Sequence, residues 1–180
     1  MMASRGSDHR VRFGRPRWLL GLPLLAVVGL LLTAAPLFAA PPSAPDNDRW
    51  KNAEPVEAPD IAHVNPNGAT LKGGEKQPSC NGTSHTVWYS LSTDNVSGTV
   101  DLNTFGSDYD TVLAVWIRSG GWTEIDCNDD AGGGLQSDLT LAFDANTTYY
   151  IQIGKCCSKD AEFDPGENEL DFTVGTPVPN

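Results

Sequence analysis

Hydrophobic and polar residues alternate in short runs along most of the chain, which is the pattern of half-buried β-strands. In residues 85–92, Val87, Tyr89 and Leu91 share one face of a predicted strand. Residues 111–117 are apolar on both faces and predict a strand buried within its sheet. Further strands are predicted at residues 98–102, 122–126, 138–143, 148–153 and 169–174, with a weaker signal at 56–63. Seven or eight strands joined by Gly-, Asn- and Asp-rich turns predict an all-β fold, an antiparallel β-sandwich of jelly-roll type.

The segment before the first clear strand combines a linker with a short turn. Residues 41–48 (PPSAPDND) are polar and rich in proline, which is typical of a linker. Residues 48–53 (DRWKNA) predict a single helical turn with Asp48 as its N-cap. The sandwich domain is therefore expected to occupy residues 49–176.

The first 40 residues differ from the rest in charge and hydropathy. Five arginines precede an apolar stretch from Trp18 to Leu32, and small residues follow it up to Ala40. This is the layout of a secretory signal peptide, with cleavage expected after Ala39 or Ala40. An uncleaved membrane anchor over residues 19–40 is the alternative, which would tether the protein to a membrane. Both interpretations place the rest of the chain outside the cytosol, as a secreted or cell-envelope protein.

The chain of 180 residues is strongly acidic, with a formal net charge of −11. After residue 44 it holds 7 basic and 22 acidic residues, a net charge of −15. Such an excess of negative charge repels phosphate backbones, so nucleic acid is excluded as an expected partner.

Four cysteines fit an oxidising compartment: Cys80, Cys127, Cys156 and Cys157. A bond between the adjacent Cys156 and Cys157 is sterically awkward. The two other patterns both tie Cys80 and Cys127 to that adjacent pair, and either of them is expected. Zinc held by these cysteines, the alternative to disulfides, is not expected, because the chain has no CxxC spacing and only His63 and His85 outside the first 40 residues.

Two acidic loops carry the candidate metal ligands. Asp108 and Asp110 precede the strand at 111–117, whereas Asn128, Asp129 and Asp130 follow the strand at 122–126. Because these two strands are expected to form a hairpin closed at residues 119–121, the two loops should meet at one rim of the sandwich.

Carboxylates crowded at that rim need compensation, which calcium would supply through oxygen ligands. The alternative is hydrogen bonding without a metal, from the hydroxyls of Ser107 and Thr111 and from the backbone of the glycine run 132–134. The second interpretation is slightly favoured, so no cofactor is required and calcium is the one candidate.

No catalytic constellation is evident in the sequence. The chain lacks a G-x-S-x-G motif, and its histidines have no metal-type spacing. The protein is therefore not expected to be an enzyme. Among the tryptophans, Trp88 and Trp116 lie inside predicted strands and are expected in the core. Trp122 follows a turn, and we expect it to be partly exposed and available for binding.

Several motifs in order resemble one known family. They are Asn47-Asp48-x-Trp50-x-Asn52-Ala53, Asn67-Gly68-Ala69-Thr70 with Gly74-Glu75, Thr86-Val87-Trp88-Tyr89-Ser90, Gly106 to Val115, Asn128-Asp129-Asp130, and Thr147 to Ile151. Over roughly residues 46–175 this order is similar to bacterial pre-peptidase C-terminal (PPC-type) domains, which are secreted β-sandwich modules often appended to exported enzymes. Here the sequence predicts a leader, a linker and one such module.

The resemblance implies a jelly-roll-like sandwich with a non-catalytic accessory or binding role. Related collagen-binding modules hold calcium through acidic residues near the N-terminal linker, a position occupied here by Asp46, Asn47 and Asp48. We therefore expect a module that binds an extracellular polymer, an envelope component or an exported protein. The alternatives are a small secreted hydrolase that uses the acidic loops, and a structural envelope protein without a specific ligand.

Overall fold

A computed structural model describes residues 42–180, which all belong to one compact unit. The predicted signal peptide, its cleavage point and the alternative membrane anchor lie outside the described residues. Within residues 42–180, no helix has both the length and the apolar character needed to cross a membrane.

The described chain forms a two-layer β-sandwich, which confirms the predicted all-β fold. Ten strands are present rather than seven or eight, because the weak signal at 56–63 is two strands and the chain ends in another. Their bounds are β1 Glu54–Val56, β2 Asp60–Val64, β3 Thr83–Ser92, β4 Gly98–Asn103, β5 Thr111–Arg118, β6 Trp122–Asn128, β7 Asp138–Phe143, β8 Thr148–Cys156, β9 Leu170–Val174 and β10 Val178–Pro179.

The strands divide into two sheets of five. The first sheet has the order β1-β3-β8-β5-β6. In the second sheet β4 pairs with β7 along its length and with β9 and β10 elsewhere, and β9 pairs with the edge strand β2. All these pairs are antiparallel except β1 with β3, which is parallel. The antiparallel prediction is therefore corrected at this one strand pair, where the chain enters the domain.

Alternation along the strands explains the core. Inward-facing residues of both sheets form one buried cluster, with Tyr89 of β3, Ile151 of β8 and Phe172 of β9 among its largest members. β5 is buried on both faces from Thr111 to Trp116, as its apolar sequence predicts. It lies between β8 and β6, and a turn at residues 119–121 joins it to β6.

The outer face of the first sheet carries a smaller hydrophobic cluster. Trp88, Ala114 and Trp116 are buried there, as predicted for the two tryptophans, and Trp50 packs over them. Trp50 belongs to a single 3-10 turn, Trp50–Asn52. This turn confirms the predicted helical turn only in part, because Asp48 does not cap it.

Asp48 instead anchors a loop, and its burial corrects the predicted linker boundary. Its carboxylate accepts hydrogen bonds from Thr70 and forms an ion pair with Lys72, whose Nζ lies 2.6 Å from Asp48 Oδ2. Asn47 is also buried, and its backbone oxygen accepts a hydrogen bond from Trp88 N at 2.9 Å. The sequence pattern predicts that both residues belong to the linker, whereas the structure buries them in the folded domain.

Candidate functional site at the acidic rim

The two acidic loops meet at one end of the sandwich, as the hairpin argument predicts. Thr104 N donates to Ser137 O at 2.9 Å, and Thr111 N donates to Leu135 O at 2.9 Å. Ser137 Oγ lies 2.7 Å from Thr111 O and 2.9 Å from Asp129 O. These bonds tie the chain before β5 to the chain between β6 and β7. We call this end of the sandwich, residues 104–111 and 128–137, the acidic rim.

Four side chains converge at the rim: Asp110, Asp129, Cys156 and Cys157. One atom of each lies within 4.8 Å of the others. The two cysteines are joined in a disulfide, so the two carboxylates are the groups of this cluster that can hold a metal ion. Cys156 N donates to the backbone oxygen of Asp110 at 2.9 Å, so the end of β8 holds the start of β5 in place. The cluster thus combines the two acidic loops with the end of β8.

The two carboxylates are incompletely paired. Asp129 Oδ2 accepts a hydrogen bond from Asn81 Nδ2 at 2.7 Å, and Asp110 Oδ2 lies 3.7 Å from Cys157 Sγ. The other oxygen of each, Asp110 Oδ1 and Asp129 Oδ1, is buried without a hydrogen-bond partner among the described residues. A buried acceptor of this kind costs free energy unless something pairs with it.

The surroundings of Asp110 disfavour its charged form. Burial raises the pKa of this carboxyl above its ordinary value, and the nearby charges of Asp129 and Asp130 raise it further. Lys155 lowers the pKa of Asp110, but its ammonium is also paired with Glu167 Oε2 at 2.7 Å. The rim therefore holds more negative charge than its own cations compensate.

The remaining predicted ligands do not point into this cluster. Asp108 accepts hydrogen bonds from the backbone nitrogens of Asn168 and Glu169 at 3.0–3.1 Å. Asn128 Oδ1 accepts one from Asp138 N at 3.0 Å. Asp130 is exposed and lies outside the group of converging atoms. The convergence of all five residues is thus corrected to Asp110 and Asp129, because the others lie elsewhere or pair with backbone amides, as Asx residues commonly do.

The hydrogen bonds expected to neutralise the rim are made elsewhere. Ser107 Oγ donates to Asp171 O at 3.3 Å, and Thr111 Oγ1 contacts Thr104 Oγ1 at 2.6 Å. The glycine run instead closes its own turn, with Gly134 N donating to Ala131 O. Among the described residues, the side-chain donor to the Asp110–Asp129 pair is Asn81, which sequence reasoning missed because it lies 48 residues from Asp129.

The disulfide prediction was wrong. Cys80 pairs with Cys127, with Cα atoms 5.9 Å apart, and the adjacent Cys156 and Cys157 pair with each other. The approach of residues 79–81 to the edge strand β6 explains the first bond. Ser79 N donates to Glu124 Oε2 at 3.0 Å, and Ser79 Oγ contacts Glu124 Oε1.

Trp122 is half-buried and is the centre of the outer aromatic cluster. Its ring centroid lies 5.2 Å from that of Trp50, 5.4 Å from Tyr150 and 5.6 Å from Trp88. The Arg118 guanidinium lies 4.4 Å from the Trp50 ring centroid. Trp122 is partly exposed, as predicted, but its ring is engaged in packing; its use in binding stays a prediction.

The acidic residues near the linker do not form an open site. Lys72 Nζ occupies the space beside the Asp48 carboxylate, so an ammonium provides the positive charge there. Asp46 is exposed. Glu75, also in this region, has a pKa raised by burial, and its Oε2 accepts a hydrogen bond from Thr86 Oγ1 at 2.6 Å.

Three concave surfaces of the described residues lie away from the rim. A cleft of about 470 Å³ is lined by Val56, Leu91 and Phe143 together with polar residues such as Asp94. It lies at the opposite end of β7 from the rim. Asp110 and Asp129 line neither this cleft nor the two smaller pockets of the sheet edge.

Several solved structures are similar to this chain in fold. One is the pre-peptidase C-terminal domain of collagenase from Bacillus anthracis, with a TM-score of 0.41 and 12% identity, covering 68% of this chain and 93% of that one. Another is PliG of Aeromonas hydrophila, a periplasmic inhibitor of g-type lysozyme, with a TM-score of 0.38 and 19% identity over 68% and 95%. The family that the sequence resembles is therefore represented among them.

A further similar structure is CorA of Methylomicrobium album BG8, a surface-associated copper-binding protein, with a TM-score of 0.38 and 13% identity over 69% of this chain and 98% of that one. No protein-family model matches the chain. No curated protein matches it either.

Proposed function

We propose that this chain is a non-catalytic binding module that acts outside the cytosol, with the acidic rim as its ligand site. Its first ligand is a divalent cation of the calcium type, bound between the carboxylates of Asp110 and Asp129. Its expected macromolecular partner is an extracellular polymer, an envelope component or an exported protein.

One observation carries the proposal: each of the two carboxylates has a buried oxygen that finds no hydrogen-bond partner within residues 42–180. Burying such an oxygen unpaired destabilises the fold. A bound cation would offset that cost and the repulsion between the two charges. Calcium suits the pair because it prefers carboxylate oxygens and takes its remaining ligands from backbone carbonyls and water.

Charge and cysteine chemistry support the same function. The net charge of −15 after residue 44 draws cations towards the domain and repels polyanions. The two disulfides are consistent with an oxidising, extracytoplasmic compartment.

Thermal unfolding with calcium and with a chelator tests the cation site. A ligand at one hundred times its Kd stabilises the fold by about 2.7 kcal/mol. For a domain of this size, that free energy corresponds to a rise of several degrees in Tm. We expect calcium to raise the Tm of the wild-type protein, and Asp110→Asn or Asp129→Asn to abolish the rise.

Asp144→Asn is the matched control, since Asp144 is an exposed carboxylate in the β7–β8 turn, at the other end of the sandwich. This variant should keep the full calcium effect. A wild-type Tm that does not change with calcium would contradict the cation site. A rise that Asp110→Asn leaves intact would place calcium elsewhere.

A further inference from the structure

A second group of metal-binding side chains lies at the edge of the other sheet, away from the Asp110–Asp129 pair. His63 of β2 is directly opposite Asp171 of β9 in the antiparallel register. Glu169 lies directly before β9, two residues before Asp171, and has a ligand atom near those of the other two side chains. The sheet topology therefore brings a histidine close to two carboxylates that lie about 100 residues further along the sequence.

The geometry of this group suits a single ion. One potential ligand atom of each residue lies within 4.8 Å of the other two. His63 Nδ1 contacts Asp171 Oδ1 directly. Zinc holds its ligands at about 2.0–2.2 Å in a tetrahedron, which places them roughly 3.4 Å from one another. Small side-chain rotations would reach that spacing.

The backbone that carries the two carboxylates is held in place. Asp171 N donates to Ser107 Oγ at 3.0 Å, and Glu169 N donates to Asp108 Oδ1 at 3.0 Å. Gly106, with φ of +106°, lies so close that a Cβ at this position would overlap the Asp171 carboxylate. The loop can approach this group only because residue 106 is glycine.

The group is accessible from solvent. The His63 side chain is 62% exposed, whereas that of Asp171 is 22% exposed. A shallow groove of about 250 Å³ adjoins it, lined by His63, Val64, Asn65, Asn168 and Glu169. An ion could therefore enter without any rearrangement of the fold and complete its coordination with water.

We propose that His63, Glu169 and Asp171 form a binding site for a first-row divalent cation of the zinc class. An imidazole nitrogen with two carboxylate oxygens is a mixed donor set that suits zinc and its neighbours better than calcium. This site is independent of the calcium-type site at Asp110 and Asp129.

Calorimetric titration of the full chain with zinc chloride tests the proposal. The protein carries Asp110→Asn and Asp129→Asn, so that the Asp110–Asp129 pair does not contribute. We expect one saturable zinc ion per chain. Adding His63→Ala should weaken binding more than tenfold, and adding Glu169→Gln or Asp171→Asn should weaken it about tenfold or more.

Glu57→Gln, the neutralisation of another exposed carboxylate, is the charge-matched control and should leave zinc binding unchanged. The Tm of each variant in a chelator shows that it folds. Absence of saturable binding up to millimolar zinc overturns the proposal. Equal weakening by Glu57→Gln and Glu169→Gln also overturns it, because binding would then reflect net charge alone.

Discussion

At the scale of single residues, the buried side chains of Gln152 and Tyr109 differ in whether their polar atoms are hydrogen-bonded. Gln152 is fully buried, its Oε1 accepts from Trp116 Nε1 at 3.1 Å, and its Nε2 donates to Lys76 O at 3.2 Å. Tyr109 is also buried, but its hydroxyl has no partner among residues 42–180. Removing a hydrogen-bonded buried group lowers the free energy of unfolding, because its partner is left unpaired, whereas removing an unpaired group leaves no partner behind.

Gln152→Leu should destabilise the domain by about 1–3 kcal/mol, because it leaves the buried indole nitrogen of Trp116 without an acceptor. Tyr109→Phe is the control for a buried polar group without a partner, and it should be neutral or slightly stabilising. Urea unfolding of both variants measures the difference. A Tyr109→Phe variant that loses as much free energy as Gln152→Leu would show that the hydroxyl is satisfied after all.

At the scale of elements, the edge strand β6 is held by a segment that precedes β3. Several contacts join this segment to β6. They are the Cys80–Cys127 bond, the Ser79–Glu124 hydrogen bonds and the approach of Cys80 N to Cys127 Sγ at 2.9 Å. The segment also covers part of an edge that would otherwise offer unpaired backbone groups.

Removing this bond with Cys80→Ala and Cys127→Ala should lower the free energy of unfolding by about 2–4 kcal/mol, because the bond spans 47 residues and restricts the unfolded chain. Removing the bond between the adjacent Cys156 and Cys157 should cost less through this mechanism, since it closes no long loop. Chemical denaturation of the two double variants provides the comparison. An equal loss in both would argue against the loop-entropy explanation.

At the scale of the whole molecule, negative charge accumulates at the acidic rim, and the opposite end of the sandwich carries the cleft lined by Val56, Leu91 and Phe143. The raised pKa of Asp110 links this charge distribution to stability. A carboxyl whose pKa is higher in the folded state binds protons more readily there. Its ionisation therefore destabilises the fold as pH rises through its folded pKa.

In a chelator, Asp110→Asn should be more stable than the wild type at neutral pH, because the variant has no charge to bury. The difference should disappear in acid, below the ordinary range of carboxyl pKa values, where the wild-type residue is protonated too. Tm measured against pH for both proteins checks this. A stability gain that grows towards acid would mean that the pKa of Asp110 is lowered by folding.

Much of the strand arrangement was predictable because strand signals are local. Asp138–Phe143 has the predicted bounds, and β5 is buried on both faces as its composition requires. The meeting of the two acidic loops was also predictable, since a hairpin brings together residues only about 20 positions apart. The individual roles of Asp108 and Asn128 were not, because Asp108 finds its partner in the distant loop before β9 and Asn128 finds its partner at the start of β7.

By itself, the sequence determined the fold class, the core faces and the position of the acidic rim, because alternation and hairpin register depend on neighbouring residues. Only the tertiary structure decided the cysteine pairing, the parallel pairing of β1 with β3 and the grouping of His63 with Asp171. Each of these depends on which distant strands become neighbours. That choice is made by burial of the whole core, and no local pattern in the chain records it.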